Sequence, residues 1–142
     1  MDGYFRVLIC DDDALVRQFL GMFVNSEPDL VLVGEAVDGV HLIEQARALR
    51  PDVIVLDLNM PRRSGLDAIA DLRTVTPEAA LVVLSGSISD TIEQRLRALG
   101  VKNYIDKSAP AEQITQLIRA AARARTTASS TYVREPVRSP TM

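Results

Sequence analysis

The chain has 142 residues, 47% of them apolar, with one cysteine and a formal charge of −3; this length supplies one hydrophobic core, and a lone cysteine excludes an internal disulfide. No apolar run is long enough to cross a bilayer, and Met1 to Arg6 lacks the basic-then-apolar order of a secretory signal, so a soluble, cytoplasmic protein without membrane contact is expected. Residues 1–118 carry 11 basic and 18 acidic side chains (−7) and residues 119–142 carry 5 and 1 (+4), an acidic body that argues against nucleic acid as the ligand of this segment itself.

The first apolar run, Arg6–Cys10, reads as a strand buried on both faces, with Cys10 as a core residue. Asp11, Asp12 and Asp13 follow it, and Asp13 stands where it would cap a helix over Ala14–Val24. A second strand over Leu30–Ala36 precedes a helix over Val40–Leu49; the lone histidine, His41, lies on it and is read as a surface residue. Pro51 stops that helix before a strand over Val53–Leu56, which ends at Asp57. A helix over Leu66–Arg73, stopped by Pro77, leads to a strand over Leu81–Leu84 that ends at Ser85. In the next segment, Thr91–Leu99, the residues Ile92, Leu96 and Leu99 repeat at helical spacing. Ser89 or Asp90 can cap it, and Gly100 follows its end. The last strand, Asn103–Ile105, is followed by Lys107 and a helix over Ala111–Ala124. From Thr126 the composition turns to Thr, Ser, Pro and Arg, so residues 126–142 are expected as a linker or disordered tail after a domain over 1–125.

Five strands alternating with five helices imply a doubly wound α/β domain with a parallel sheet. In such sheets the site lies outside the carboxyl ends of the strands, where the strand order reverses. Those ends carry Asp11 and Asp12, Asp57, Ser85 and Lys107, which converge if the order is 2-1-3-4-5. Several carboxylates at one edge repel each other, and a hard divalent cation resolves the conflict. Mg²⁺ suits Asp12 and Asp57 as ligands, Asp11 through water, and the main-chain carbonyl of Asn59. A carboxylate flanked by a metal, an ammonium and a hydroxyl suits in-line attack on phosphorus, with Asp57 becoming an acyl phosphate.

The ordered set Val7-Leu8-Ile9-Cys10-Asp11-Asp12, Val53-Ile54-Val55-Leu56-Asp57-Leu58-Asn59-Met60-Pro61 with Gly65, Leu84-Ser85-Gly86 and Tyr104-Ile105-Asp106-Lys107 resembles the signature of response-regulator receiver domains, over residues 6 to 124. The resemblance implies a flavodoxin-like fold, a sensor histidine kinase as phosphodonor and these roles: Asp11 and Asp12 as metal ligands, Asp57 as phosphoacceptor, Ser85 as phosphoryl-sensing hydroxyl, Lys107 as phosphoryl-binding cation. It also implies a switch in which Tyr104 turns inward behind Ser85, with the fourth and fifth helices and the sheet between them as output face. Ser108 departs from the family's usual Pro after the Lys, so the cis peptide common there is not carried over.

Two other functions compete. A haloacid-dehalogenase phosphatase also uses an Asp nucleophile and Mg²⁺, and Asp11-Asp12-Asp13 offers its Asp-x-Asp; but Leu15 stands where that family has Thr or Val, and its later acidic pair is missing. The other is a stand-alone receiver acting by protein contact. Val16-Arg17, Ser85-Gly86 and Lys107-Ser108 resemble receivers that precede a LuxR-type helix-turn-helix domain, so the expectation is a chain that stops within the linker to such a domain, with transcription control and homodimerisation on phosphorylation as outputs. The pair Arg62-Arg63 is read as solvated, with contact to a kinase as the lesser alternative.

Overall fold

A computed structural model describes residues 3–59 and 65–130, with side chains up to Arg125. The elements alternate as β1 (Phe5–Cys10), α1 (Ala14–Ser26), β2 (Leu30–Ala36), α2 (Gly39–Leu49), β3 (Val53–Asp57), α3 (Gly65–Val75), β4 (Ala80–Ser85), α4 (Asp90–Ala98), β5 (Asn103–Asp106) and α5 (Ala111–Ser130). All pairings are parallel, in the order β2-β1-β3-β4-β5. The doubly wound α/β fold read from the sequence is therefore the observed one.

Alternation along the strands splits the core in two. Leu8, Ile54, Leu56, Leu81 and Val83 face one side, where they pack on Leu42 and Ala46 of α2, Ile69 and Leu72 of α3, and Leu96 of α4. Val7, Ile9, Val53, Val55, Val82 and Leu84 face the other, against Leu20 and Val24 of α1 and Ile114, Ile118 and Ala122 of α5. Burial on both faces explains why these strands are continuous apolar runs and not alternating ones.

Local signals set the ends of the elements. The Asp13 carboxylate accepts from the Leu15 and Val16 N–H groups at the start of α1, as the sequence suggests, and Ser89 Oγ accepts from the Ile92 N–H at the start of α4. Gly100, at φ +81°, takes the left-handed conformation that closes the end of α4 at little steric cost. At the edge of the sheet remote from the acidic strand ends, charge pairs strap α5 down. Arg119 holds Asp29 (2.6 Å) and Glu27, and Arg125 lies 3.1 Å from Asp52. The Arg119 hydrogen bond is the main reason the Asp29 carboxyl is held below its ordinary pKa.

Helix α5 runs to Ser130, six residues beyond the end expected at Ala124 and into the stretch assigned to a linker. The run Ala120-Ala121-Ala122-Arg123-Ala124-Arg125 has high helix propensity, and neither Gly nor Pro interrupts the chain from Ala111 to Ser130. The Thr and Ser residues that signalled a linker are poor helix formers, but not helix breakers. The expected tail beyond Ser130 lies outside the described residues. Among these, no helix is long and apolar enough to cross a membrane.

Candidate functional site

The sheet order makes β1, β3, β4 and β5 consecutive neighbours, so their carboxyl ends lie side by side. Cys10 is level with Leu56, Asp57 with Leu84, and Ser85 with Asp106. The Asp11 N–H extends the β1 ladder to the Ala36 carbonyl (3.1 Å), and the Lys107 N–H extends that of β5 to the Ser85 carbonyl (3.0 Å). The expected strand-end residues are thus brought together by main-chain pairing.

Asp11 and Asp57 are 1% and 3% exposed, a degree of burial that an ionised carboxylate tolerates only with compensating charge. Lys107 supplies it, with Nζ 2.9 Å from Asp11 Oδ2 and 3.2 Å from Asp57 Oδ2. The other oxygens are held by turns: Asp11 Oδ1 accepts from the Asp13 N–H (2.9 Å) and Asp57 Oδ1 from the Asn59 N–H (3.1 Å). Asp12 is exposed at the mouth.

Two carboxylates and one ammonium leave a net negative charge in a buried place. Burial pushes the Asp57 carboxyl above its ordinary value; the Asn59 N–H opposes this, the Asp11 charge adds to it, and Lys107 opposes it. Burial works against the Lys107 ammonium, yet the hydrogen bond and charge of Asp11, followed by Asp57, outweigh it and raise its pKa. Behind them, burial and then the charges of Asp11, Asp38 and Asp57 push the Cys10 thiol up to about 12, keeping it a protonated core residue.

The donor set fits a hard divalent cation. Asp11, Asp12 and Asp57 each offer an oxygen, and these atoms lie within 4.8 Å of one another. Asp11 Oδ2 is buried and 2.9 Å from the Lys107 ammonium, with no further donor on it among the described residues. An all-oxygen, carboxylate-rich site with a spare buried lone pair is what Mg²⁺ takes.

The remaining expected residues lie around this centre. Ser85, 1% exposed, donates its hydroxyl to the Ser87 carbonyl (2.9 Å) and accepts from the Ser87 N–H (3.3 Å). Tyr104 is half-buried and its hydroxyl donates to Glu93 of α4 and not to Ser85. No cis peptide occurs among the described residues, so Lys107–Ser108 is trans; the Ser108 N–H and Oγ both donate to Asp106 Oδ1, at 2.8 and 2.6 Å. Nδ1 of His41 accepts from the Val37 N–H (3.2 Å), a turn contact remote in sequence from the acids. Met60, Pro61, Arg62 and Arg63 lie outside the described residues.

Arg17 was missed as a site neighbour. Its guanidinium donates to the Asp11 carbonyl (2.7 Å) and pairs with Glu35 (3.0 Å), tying the first acidic turn to β2. The available signal was its place one helical turn after the Asp13 cap. Gly65 has a different role: a Cβ there would fall 2.6 Å from the Asp57 carbonyl oxygen and 2.8 Å from Leu58 Cα. Main-chain atoms cannot yield as side chains do, so Gly65→Ala should cost about 1–3 kcal/mol and slow chemistry at Asp57. Chemical denaturation, with metal titration of the folded variant, checks this; wild-type stability would show that α3 shifts freely.

Fold and site together define a doubly wound α/β domain with an acidic pocket at its strand ends. Residues 7–119 match the family model of the response regulator receiver domain. The chain belongs to that family. It is 36% identical over 119 residues to the transcriptional regulatory protein YxjL of Bacillus subtilis, covering 83% of this chain and 54% of that protein. It is 38% identical over 104 residues to a protein-glutamate methylesterase/protein-glutamine glutaminase of Pyrococcus abyssi, covering 72% of this chain and 28% of that enzyme. Among solved structures, the response regulator domain of Thermotoga maritima CheB superposes with a TM-score of 0.79 at 29% identity, over 84% of this chain and 97% of that one. The chain thus spans about half the length of the regulator and about a quarter of the esterase.

Proposed function

We propose that this domain accepts a phosphoryl group on Asp57 from a sensor histidine kinase and passes the event to an output surface. The observation that carries the reading is the Lys107 ammonium shared by two buried carboxylates, Asp11 and Asp57, beside a third, Asp12. In the reaction an Asp57 carboxylate oxygen attacks phosphorus in line. The new P–O bond forms as the bond to the donor, a histidine nitrogen or the acetate oxygen of acetyl phosphate, breaks, and its electron pair leaves with the donor. Burial that raises the basicity of Asp57 also makes it a better nucleophile.

Asp11, Asp12 and Asp57 would hold Mg²⁺, with the Asn59 carbonyl as an expected further ligand. When bound, the metal supplies positive charge against the phosphoryl oxygens. Lys107 releases Asp57 Oδ2 to pair with the incoming phosphoryl oxygens, and the Ser85 hydroxyl exchanges the Ser87 carbonyl for one of them. The added charge of about −1.5 to −2 is sufficient to redirect both donors.

Docking of the kinase is assigned to α1. Leu15, Phe19 and Met22 are 64%, 58% and 61% exposed, with Phe23 beside them, an apolar stripe with no partner of its own element. The groove between this stripe and α5 is lined by Val16, Phe19, Phe23, Ile114 and Lys107 itself, so a helix seated there reaches the phosphoryl-binding cation. Phe19→Asp should slow transfer from the cognate kinase at least about tenfold, while acetyl phosphate still loads Asp57; equal loss with both donors would place Phe19 in the fold or site and not in docking.

Transcription control through a DNA-binding domain attached beyond this segment is the proposed output, supported by the similarity to YxjL, and no ester or phosphatase activity is assigned to the segment itself. Incubation with acetyl phosphate and Mg²⁺, read by intact mass, tests the central reading. One added phosphoryl group is expected, and none would overturn it. Sustained turnover of small phosphate esters that depends on Asp11 and not on Asp57 would instead favour a haloacid-dehalogenase-type phosphatase.

A further inference from the structure

We propose that Glu93 is a positioning residue that latches Tyr104 and helix α4 in the unphosphorylated arrangement, so that its grip sets how readily the site switches; the inference rests on Asp57 being the acceptor. The juxtaposition is local and charged. The Tyr104 hydroxyl donates to Glu93 Oε2, and Arg97, one turn further along α4, lies 3.6 Å from that same oxygen. Hydrogen bonds to a carboxylate acceptor are the stronger kind.

Helix α4 is otherwise loosely held. Leu96 is its one buried residue, with Ile92 and Leu99 partly buried beside it, whereas α3 buries Gly65, Ala68, Ile69 and Leu72. A helix with so little apolar burial moves at small cost, and one charged hydrogen bond at its edge is then a large share of what holds it. Arg97 also hydrogen-bonds the Tyr104 hydroxyl, so Glu93, Tyr104 and Arg97 form one cluster, and removing the Glu93 carboxylate loosens the hold between Tyr104 and α4.

The latch is also connected to the site. The Ser85 hydroxyl bonds both main-chain polar groups of Ser87; two residues later Ser89 caps α4, and the Glu93 N–H donates to the Ser89 carbonyl (2.9 Å). When the Ser85 hydroxyl leaves Ser87 for a phosphoryl oxygen, the segment leading into α4 loses its anchor two residues before the Ser89 cap, which lies one turn from Glu93. Tyr104 lies level with Val83 and Ser85 with Asp106, which puts Tyr104 and Ser85 on the same face of the sheet, one pleat apart. The space Ser85 vacates is therefore the space an unlatched Tyr104 can approach. Glu93 also suits the first turn of a helix and an i, i+4 pair with Arg97, but those roles would not involve the tyrosine hydroxyl.

The test is a double-mutant cycle on the full chain, using beryllofluoride with Mg²⁺ as the phosphoryl mimic and calorimetry as the readout. Glu93→Ala should raise affinity roughly three- to tenfold, because the ligand no longer has to break the latch. Glu93→Gln, which keeps shape and a neutral acceptor, should give a smaller gain of the same sign. In the Tyr104→Phe background, Glu93→Ala should change affinity by less than about twofold. Unchanged affinity of Glu93→Ala in the wild-type background, or an equal gain without the hydroxyl, would overturn the latch while leaving the acceptor reading intact. A wild-type chain that neither binds the mimic nor gains phosphoryl mass would overturn the acceptor reading itself, and the latch with it.

Discussion

Asp57→Asn should take up no phosphoryl group from acetyl phosphate and Mg²⁺, while becoming more stable than the wild type at neutral pH. The first effect follows from removal of the nucleophile, and intact mass reads it directly; a variant that still gains one phosphoryl group would place the acceptor elsewhere, with Asp11 and Asp12 the first alternatives. The second follows from the buried charge. The Asp57 carboxyl titrates above its ordinary 3.8 in the folded chain, chiefly because it is buried. The native state therefore binds that proton more tightly than the unfolded chain does. The associated stability is fully present below the unfolded value and is lost as pH rises through the folded one. Asn carries no charge, so the variant escapes this loss and should gain about 1 kcal/mol at neutral pH. The gain should shrink on acidification toward the unfolded value. Urea denaturation in EDTA at several pH values measures it, and a gain that does not vary with pH would refute the electrostatic origin.

Lys107→Ala should produce the opposite pattern. It leaves Asp11 and Asp57 buried and facing each other without their shared ammonium. Removing one partner of a buried pair costs about 3–5 kcal/mol, and the partial exposure of Lys107 lowers the expected loss to about 2–3 kcal/mol. Millimolar Mg²⁺ should restore part of this, because a second cation can take the role of the first. Loading of Asp57 by acetyl phosphate should fall at least about tenfold even when Mg²⁺ restores stability, since the phosphoryl oxygens lose a fixed positive partner. Thermal melts with EDTA and with Mg²⁺, alongside loading rates, separate the two roles. A metal-free variant as stable as the wild type would show that the ammonium contributes nothing to the resting fold.

Much of the centre was legible in the sequence for one physical reason. A strand buried on both faces is an unbroken apolar run, so the first charge after it marks the strand end, and in a parallel sheet all such ends lie on one edge. Asp11 and Asp57 are found that way, Ser85 as the first hydroxyl after the apolar run of β4, and Lys107 as the first cation after β5, one residue past Asp106. What escaped were contacts between surface positions of different elements. Arg17 and Glu93 look like ordinary solvated helix residues until the fold sets one against the Asp11 carbonyl and the other against Tyr104. The length of α5 was misread because Thr and Ser weaken a helix without ending it, and composition does not show where a helix already under way stops.

The two-sided core has a further consequence. The apolar stripe assigned to the phosphodonor belongs to α1, with α5 beside it, while Tyr104 and α4 belong to the opposite layer, and a close-packed sheet stands between them. The two layers meet at the strand-end crest, where Lys107 lines the α1 groove and also holds Asp57. A substitution on the exposed α1 stripe is therefore screened from Tyr104 and α4 by the sheet unless it reaches that crest. Such insulation lets the identity of the upstream partner drift independently of the downstream one, so a lineage can rewire one without breaking the other.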